Sequence, residues 1–549
     1  MMKNMLAGGD LTLADFMELC QQCADVQREV LLDIISRNAD TALGRKYHFG
    51  KLKTVDDFRK HVPVMNWRDL EPYASRAERG AADQMFSGRP ELFIITSGTT
   101  GREKMIPESR AGLAAKNTTT NLRMAALRRH FPDFMQGKML PLVNGAEIGE
   151  TEGGIPYGTA SGITLMNASE KWRRIVAYPS DILKITDAAA LDYVMMRFAI
   201  AEDVRLIIGN NAGRMEPLAA MVAENAEMMI EDIRHGTISK KVDISPQIRT
   251  ELDEFLVPDP EKAGQLKRFA LTKGGLTPES YWPRLAVVSC WLAGSVGHYV
   301  DRIRPLFAEK VQFMDFGYGA TEGKFNVPLK PGEPAGPLAI HAGFYEFGFP
   351  GDAENLLLAH ELKDGELYEL YYTNYSGLYR YAMHDVVRVD GFVGTTPRIR
   401  FEAKMGDVAN ICGEKMSPRV LEAAVAEAAE AEGVMVKHWC LVADLVESRY
   451  NFCLELDAPS ASISDVVIAR LASLIEANLY GDGTLPYPVF RKQQLIKPAT
   501  VTLMSAGWST AWRDARKKPG DAGNQLKLPL VCANIPLSEY CLCRSGAGA

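Results

Sequence analysis

The chain has 549 residues, of which 47% are hydrophobic and 24% charged, as in an ordinary soluble globular protein. Such a length exceeds what one hydrophobic core usually supports, so two or more domains are expected. The net charge of −7 gives no overall basic field, which argues against a nucleic-acid partner. No apolar run reaches membrane-spanning length and no secretion signal is recognisable, so we expect a cytoplasmic protein with no membrane partner.

The nine cysteines suggest no disulfide framework. Cys20 and Cys23 form a C-x-x-C pair, but they lie in a helical pattern. The sequence has no second Cys or His pair with the spacing that a zinc site would require. Free buried thiols in a reducing compartment are the favoured interpretation.

The first ninety residues have helical periodicity, with short helices predicted at 55–61 and 67–73. From Pro90 onward, strands alternate with helices, which indicates an α/β domain with a largely parallel sheet. Ligands of such sheets lie at the carboxyl ends of the strands. The pattern predicts strands at 92–95, 204–208, 284–290 and 311–316, and helices at 188–201, 217–234 and 298–307.

A β-rich subdomain is expected after Phe344, with short strands at 367–373, 378–381 and 386–389. The strand signal lapses near Arg400. A small α+β domain then follows, with helices at 418–431 and 464–479 and strands at 437–441 and 451–456. We therefore predict a large N-terminal domain over residues 1–400 and a smaller C-terminal domain over 401–549.

The first candidate site is the loop Ser97-Gly98-Thr99-Thr100-Gly101, which follows a predicted strand and is closed by Lys104. Its glycines let the backbone approach a ligand closely, and its N–H and hydroxyl groups can point at phosphate oxygens. Lys104 would add a compact positive charge. It is not a Walker phosphate loop, because Glu103 and Met105 flank the lysine. A Gly-rich turn without any ligand is the alternative.

The second candidate site is Tyr318-Gly319-Ala320-Thr321-Glu322, after the strand predicted at 311–316. Tyr318 offers a ring for a base, Thr321 a hydroxyl and Glu322 a hard oxygen for Mg²⁺. A tight turn with a packed tyrosine is the alternative.

Two further residues stand in suggestive places. Asp385, at the mouth of an apolar strand, could accept hydrogen bonds from both hydroxyls of a ribose, or could instead cap a turn or pair with Arg380. Lys527 lies in a loop between Gly523 and Pro529, where a lysine is usually a solvated charge.

Taken together, these segments resemble the Gretchen Hagen family of plant and bacterial acyl-acid amido synthetases, within the acyl-adenylate-forming superfamily. The stretches that carry the resemblance are 62–63 and 69–70, 96–107, 318–328, 377–392 and 523–529. Four weak motifs in the family's order are far more specific than any one of them.

The resemblance implies a ligase that uses ATP and Mg²⁺ to adenylate a carboxylic acid, then transfers the acyl group to an amine, typically of an amino acid. By resemblance, residues 97–101 would hold the phosphates, Glu322 the Mg²⁺, Tyr318 the adenine and Asp385 the ribose. Lys527 would bridge the acid and the α-phosphate, on a C-terminal domain that rotates about a hinge near Lys404.

The chain departs from the family pattern at two positions. His384 stands where the family commonly has glycine, and Lys404 where arginine is usual. Lysine keeps the positive charge but lacks the forked guanidinium that can bind two acceptors at once. His384 could crowd the turn, act as a base in the second step of the reaction, or have only a structural role. Two other functions stay open: an acyl-coenzyme A ligase with the same first step, and a nucleotide-binding module without catalysis.

Overall fold

The computed structural model divides the chain into two compact units. One holds the described residues up to Lys404, and the other those from Ile411 onward. The described residues are 11–96, 104–143, 148–159, 170–210, 212–273, 275–293, 300, 303–350, 352–404, 411–412, 414, 416, 418–457, 463–480, 486–509, 531–532 and 545–547.

The first unit begins with five helices, as the helical periodicity predicted. They are α1 (Leu13–Leu19), α2 (Cys23–Arg37), α3 (Ala42–Lys46), α4 (Val55–His61) and α5 (Trp67–Glu78). Thr54 begins α4 with a capping box, in which its hydroxyl accepts a hydrogen bond from the Asp57 N–H at 3.0 Å. Cys20 and Cys23 are free and buried, and burial raises the pKa of both thiols, to about 12 and about 11. Both thiols therefore stay protonated at neutral pH, as expected of structural cysteines.

A four-stranded sheet contains the hairpin whose strands flank residues 97–103. The strands β1 (Leu92–Thr96) and β2 (Lys104–Glu108) pair antiparallel, with Thr96 opposite Lys104. Two short strands complete this sheet, in the order β2-β1-β5-β4: β4 (Ile148–Glu150) and β5 (Pro156–Gly158). The long helix α6 (Arg110–His130) follows directly. Its N-terminus is capped by the Ser109 hydroxyl, which accepts a hydrogen bond from the Gly112 N–H at 2.9 Å.

The predicted parallel sheet is confirmed, with four strands in the order β3-β6-β7-β8. These strands are β3 (Lys138–Pro141), β6 (Val204–Ile208), β7 (Val287–Cys290) and β8 (Gln312–Asp315). The helices of this region are α7 (Glu170–Ile175), α8 (Ala188–Ala201), α9 (Met215–Glu224), α10 (Ala226–His235), α11 (Pro246–Asp253), α12 (Pro260–Lys273) and α13 (Pro278–Tyr281).

The single helix predicted at 217–234 is wrong, because the chain breaks at Asn225 into α9 and α10. The Asn225 side chain donates a hydrogen bond to the Met221 carbonyl at 2.9 Å, which is the local competition that disfavours asparagine within helices. Of the helix predicted at 298–307, the described part is helical at Val300 and Ile303 and continues as a 3₁₀ turn, Arg304–Leu306.

The β-rich subdomain is a six-stranded antiparallel sheet in the order β11-β10-β12-β13-β14-β9. Its strands are β9 (Gly336–Pro337), β10 (Gly343–Gly348), β11 (Leu357–Leu358), β12 (Leu367–Asn374), β13 (Tyr381–Val393) and β14 (Thr396–Lys404).

Two expectations for this sheet are wrong. Residues 378–380 are irregular rather than a strand, because Gly377 (φ +86°) and Arg380 (φ +44°) adopt left-handed backbone geometry. The strand does not lapse near Arg400, since β14 continues to Lys404. Its charged residues hide the strand signal, and one of them pairs across strands at 2.7 Å, from Arg400 to Asp390.

The second unit has a five-stranded mixed sheet in the order β18-β15-β16-β17-β19. Its elements are α14 (Pro418–Glu432), β15 (Val436–Asp444), β16 (Arg449–Leu456), α15 (Asp465–Tyr480), α16 (Pro486–Lys492), β17 (Thr500–Leu503), β18 (Val531–Cys532) and β19 (Ser545–Ala547). The predicted α+β architecture of this part is confirmed. Among the described helices of the chain, none has the length and apolarity of a membrane span.

Two large hydrophobic cores stabilise the first unit, and α6 contributes to both. One core surrounds the parallel sheet and includes Leu127 of α6, while the other joins helices α1–α5 to the antiparallel sheet and includes Leu122. The chain passes from the first core to the second between Met314, on β8, and Tyr318. The second candidate site therefore lies where the two cores meet.

Gly377 should tolerate no side chain. An added Cβ would lie 2.4 Å from the Met85 Cβ, on a backbone with φ of +86°. We expect Gly377→Ala to lower the free energy of unfolding by about 3 kcal/mol or more, because overpacking adds to backbone strain. The matched control is Gly365→Ala, where φ is +81° and no atom lies within 4 Å of the added Cβ. Denaturant midpoints check this, and equal losses for both variants would contradict the packing argument.

His341 should make the fold sensitive to acid. It is buried, and burial lowers its pKa to about 3, so the native state excludes a proton that the unfolded chain binds below pH 6.5. Stability should therefore fall as pH drops from about 6.5 toward 3, by up to about 1.4 kcal/mol per pH unit from this group. His341→Gln should flatten this slope, measured by unfolding at several pH values. His235→Gln, at an exposed position, is the control, and identical slopes in both variants would refute the assignment.

Candidate active site

The turn after β8, here called the Tyr318 turn (residues 316–324), is anchored at its base by the buried Asp315. The Asp315 carboxylate accepts hydrogen bonds from the N–H groups of Gly317 at 2.6 Å and Leu292 at 2.7 Å. Burial raises the pKa of this carboxyl to about 6, against the opposing effect of the two backbone N–H donors. Asp315 thus fixes the point at which the chain leaves the parallel sheet.

Arg123 of α6 holds the same turn from the other side. Its buried guanidinium donates to the carbonyl oxygens of Tyr318 at 2.8 Å and Asn326 at 2.9 Å. It also packs against Gly317, whose added Cβ would lie 2.4 Å from the Arg123 Cζ. Glycine at 317 is therefore required by close packing as well as by its φ of +92°.

The tip of the Tyr318 turn is closed by its own backbone and fixed from outside by two side chains. The Ala320 N–H donates to the Gly323 carbonyl at 2.9 Å, and the Gly323 N–H returns a bond at 3.3 Å. Lys116 Nζ donates to the Thr321 carbonyl at 2.6 Å and Asn374 Nδ2 to the Glu322 carbonyl at 3.1 Å. The turn backbone is thus held before any ligand binds.

Lys116 is itself held by an ion pair with the fully buried Glu108, at the end of β2. Ser376 Oγ donates to the second Glu108 oxygen at 2.9 Å. Burial raises the Glu108 pKa, against the lowering effect of Lys116, and the pair links β2, α6 and the turn that precedes Gly377.

Tyr318 is more deeply packed than a ring presented to a base would be. Its ring lies between Phe325 and Phe401, with centroid distances of 4.6 and 5.4 Å, and only 7% of the residue is exposed. Its hydroxyl donates to Asp385 Oδ2 at 2.6 Å. This geometry matches the packed-tyrosine alternative, and contact with adenine stays a prediction.

Asp385 is held from two sides, and Arg380 is not its partner. Lys404, opposite it in the β13–β14 register, donates from Nζ to Asp385 Oδ1 at 2.7 Å and to the Met383 carbonyl at 3.1 Å. Arg380 instead makes a bidentate pair with buried Glu346, at 2.8 and 2.9 Å. Each Asp385 oxygen still has lone pairs for further donors, so the carboxylate fits the two hydroxyls of a ribose.

Lys404 stays charged in this position. Burial lowers its pKa, but the charge and hydrogen bond of Asp385 outweigh that effect, so the net shift is upward. A lysine therefore supplies the cation where the family commonly has an arginine, and its ammonium reaches a backbone carbonyl as well as the carboxylate.

His384 occupies a backbone position suited to glycine. Its φ is +55°, and its half-exposed ring lies with Nδ1 3.1 Å from Glu369 Oε1. A non-glycine residue in this region costs about 1–3 kcal/mol of local strain. The pairing of β12 with β13 has a register shift between Glu369 and Tyr371, next to this position.

Glu322 projects from the tip of the turn between two charged pairs. Within the described residues, no hydrogen bond or ion pair of its partly exposed carboxylate is found. Its charge acts on Glu108 on one side and on Lys404 and Tyr381 on the other. No cluster of three or more candidate metal ligands occurs among the described residues. A single carboxylate can take part in a Mg²⁺ site only together with substrate phosphates and water, so the metal role of Glu322 stays a prediction.

The structure brings the second and third motifs together and leaves two others outside the described residues. Tyr318, Gly319, Ala320, Thr321, Glu322, Asp385 and Lys404 belong to one neighbourhood. Lys104 begins β2, opposite Thr96. Ser97-Gly98-Thr99-Thr100-Gly101 and Lys527 lie outside the described residues, so their roles stay predictions.

Sequence reasoning missed Glu108, Lys116, Arg123 and Lys324. All but Lys324 act on the Tyr318 turn or its supports from β2 and α6, far away in sequence. A charged residue within an amphipathic helix carries no local signal of burial, and only the turn's need for fixed carbonyl groups could have suggested such donors.

Sequence models of the GH3 family match three successive parts of the chain. The N-terminal domain matches residues 12–312, the central domain 336–404 and the C-terminal domain 419–535. Together these domains account for most of the chain, so the protein belongs to the GH3 family. The predicted membership of the Gretchen Hagen (GH3) family is thereby confirmed.

Similar proteins agree with this assignment. The chain is 26% identical to a jasmonoyl–L-amino acid synthetase of Oryza sativa subsp. japonica, covering 94% of both chains. It is 24% identical to an indole-3-acetic acid-amido synthetase of Arabidopsis thaliana, covering 95% of this chain and 91% of the relative.

Solved structures share the fold. AtGH3.15 acyl acid amido synthetase in complex with 2,4-DB matches with a TM-score of 0.67 and 21% identity, covering 98% of this chain and 97% of that chain. A 2-hydroxyisobutyryl-CoA ligase matches at 0.50 and 13%, covering 93% and 90%.

The hydrogen bond from Tyr318 to Asp385 should contribute strongly to stability. Tyr318→Phe keeps the ring and leaves a buried carboxylate oxygen without its donor, which should cost about 2–3 kcal/mol. Tyr379→Phe is the matched control, because the buried Tyr379 hydroxyl donates to a neutral acceptor, the Met85 carbonyl, at 2.8 Å. Its loss should be nearer about 1 kcal/mol. Denaturant unfolding measures both, and an equal or larger loss in the control would contradict the role given to Asp385.

Proposed function

We propose that this protein is an ATP-dependent acyl-acid amido synthetase. In the first step, a carboxylate oxygen of the acid attacks the α-phosphorus of ATP, the bond to the β-phosphate oxygen breaks, and pyrophosphate leaves. In the second step, the amine nitrogen of an amino acid attacks the acyl carbon, loses a proton, and displaces AMP. The GH3 family membership and the amido synthetase names of the relatives support this proposal.

The observation that carries the proposal is the link from Tyr318 to Asp385 to Lys404, with Glu322 beside it. The hydroxyl and the ammonium pre-orient a carboxylate that retains acceptor capacity, which is what recognition of a vicinal diol requires. Asp385 would accept from both ribose hydroxyls. Thr321 and the Gly319-Ala320 backbone would line the nucleotide at the tip of the turn.

Glu322 would hold Mg²⁺, which supplies charge neutralisation for the phosphate oxygens when bound. The N–H and hydroxyl groups of Ser97, Gly98, Thr99, Thr100 and Gly101 would hold the phosphates, with Lys104 close by in sequence. These residues position and neutralise rather than react, which is the main requirement of nucleotidyl transfer.

Lys527 would bring a positive charge to the reacting carboxylate and the α-phosphate in the first step only. This role requires the C-terminal domain, residues 401–549, to turn relative to residues 1–400 about a hinge near Lys404. We also propose a cytosolic location, which the free buried thiols of Cys20 and Cys23 support.

Two other functions are separated from this one by half-reactions. An acyl-coenzyme A ligase would release AMP on addition of a thiol rather than an amine. A nucleotide-binding module would bind ATP without acid-dependent pyrophosphate exchange. Measuring exchange with a panel of carboxylic acids, followed by AMP release with amino acids or coenzyme A, distinguishes all three.

Asp385→Asn should raise the KM for ATP at least about 10-fold, since charged hydrogen bonds of the carboxylate are each worth about 1.5–3 kcal/mol. Acid-dependent pyrophosphate exchange at varied ATP measures the effect. Asp364→Asn, on an exposed turn, is the control. An unchanged KM for ATP in Asp385→Asn would reject the ribose role.

Lys527→Ala should abolish pyrophosphate exchange while leaving the amine reaction intact when a synthetic acyl adenylate is supplied. The reason is that its charge is needed only where carboxylate and phosphate, both anionic, approach each other. Rapid-quench assays of each half-reaction measure this. Equal losses in both half-reactions would argue against a lysine that acts in one step only.

A further inference from the structure

Lys324, the last residue of the Tyr318 turn, carries a partly buried ammonium that the structure does not neutralise. Its Nζ donates to the Thr120 hydroxyl on α6. Among the described residues, no carboxylate lies within ion-pair distance of Lys324. Because three N–H donors are present and one bond is formed there, the ammonium keeps capacity for an anionic acceptor.

The surroundings of Lys324 are predominantly positive. Arg123 and Lys116 both act on it as like charges, and Glu108 is the one attractive carboxylate among the interactions that shift its pKa. Glu108 already pairs with Lys116, while Arg123 donates to the backbone carbonyls of Tyr318 and Asn326. Burial first, and these cations next, lower the Lys324 pKa to about 7.

A purely structural role does not account for this arrangement. Removing an unpaired ammonium from water is unfavourable, which is why the pKa of Lys324 is lowered, and an apolar side chain of similar volume would pack against α6 without that cost. Thr120 needs no cation, because its hydroxyl already donates to the Lys116 carbonyl at 2.9 Å. Lys116 pairs with Glu108 and Arg123 has the charge of Asp315 nearby, whereas Lys324 has no ion-pair partner among the described residues.

The position of Lys324 relative to the nucleotide residues indicates where that charge would come from. Asp385 and Lys404 lie on one side of the Tyr318 turn, and Glu322 projects from its tip. Lys324, two residues beyond Glu322, instead contacts α6 through Thr120. If the ribose is at Asp385 and the α-phosphate near Glu322, an acid that attacks that phosphate would extend toward Lys324.

We propose that the acid substrate carries a second anionic group, and that Lys324 binds that group. The inference rests on the proposed adenylation of a carboxylic acid at this site. Lys324 determines specificity by supplying the counter-charge, with Thr120 orienting its ammonium. A substrate with one carboxylate would leave the Lys324 ammonium without an ion pair, whereas the second carboxylate of a dicarboxylate would supply its counter-charge.

The test is ATP–pyrophosphate exchange with matched acids that differ by one charge: butyrate against glutarate, and benzoate against isophthalate and terephthalate. The wild-type protein should have a kcat/KM at least about 10-fold higher for a dianionic acid than for its monoanionic partner. Lys324→Met should lose at least about 30-fold with the dianionic acid and less than about 3-fold with the monoanionic one. Lys324→Arg should restore part of the preference, because it returns the charge.

Lys330→Met is the matched control, since this lysine is largely exposed six residues further along the chain. Unfolding midpoints of all variants establish that the fold is kept. Equal losses with both acids in Lys324→Met, or a wild-type preference for the monoanionic acids throughout, would overturn the inference while leaving adenylation established. Absence of exchange with every acid would instead refute the proposed function, and the inference with it.

Discussion

The buried Asp385 carboxylate is the constraint on which the candidate site depends. It joins three segments that are far apart in sequence: the Tyr318 turn through a hydroxyl, the end of β14 through an ammonium, and β13, to which it belongs. A buried carboxylate without partners is costly, so folding favours only arrangements in which both donors arrive. The same requirement that stabilises the fold therefore pre-orients the group proposed to bind the ribose.

The long helix α6 likewise uses polar contacts to position the rest of the site. Along its length it supplies Lys116 to the tip of the turn, Thr120 to Lys324 and Arg123 to the base of the turn. These residues are spaced by three and four positions, so they share the face of α6 that meets the turn. The other faces of the helix are held by two hydrophobic cores, which means that neither core can shift without moving the site.

The elements that sequence predicts well are those whose signal is local. The bounds of α4, α8 and β6 follow directly from periodicity and capping residues. Prediction fails where a distant partner decides the outcome. The sequence of β14 predicts no regular strand, because its charged side chains find their partners on β13. Residues 378–380 are predicted as a strand, because the left-handed geometry of Gly377 and Arg380 depends on packing.

The candidate site divides in the same way. Gly319, Thr321, Glu322 and Asp385 can be found from sequence because their residue types suit nucleotide chemistry at recognisable spacings. The residues that hold this site in place cannot be found from sequence. A lysine at 116 or an arginine at 123 is indistinguishable in sequence from a solvent-exposed charge on a helix. Tyr318 shows the limit most clearly, since its place in a motif predicts a ligand contact while its burial between Phe325 and Phe401 gives the ring a packing role.

The charges around the Tyr318 turn fit a reaction that must bring two anions together. A carboxylate and a phosphate at about 4 Å repel each other by about 4 kcal/mol near a protein surface, so cations must be in place beforehand. On one side of the turn, the charge of Lys404 is neutralised by Asp385, which it orients. On the α6 side, the charge of Lys116 is neutralised by Glu108. Arg123 has the charge of Asp315 nearby, while Lys324 has no ion pair among the described residues, which leaves one unpaired cation on the side where we expect the acid.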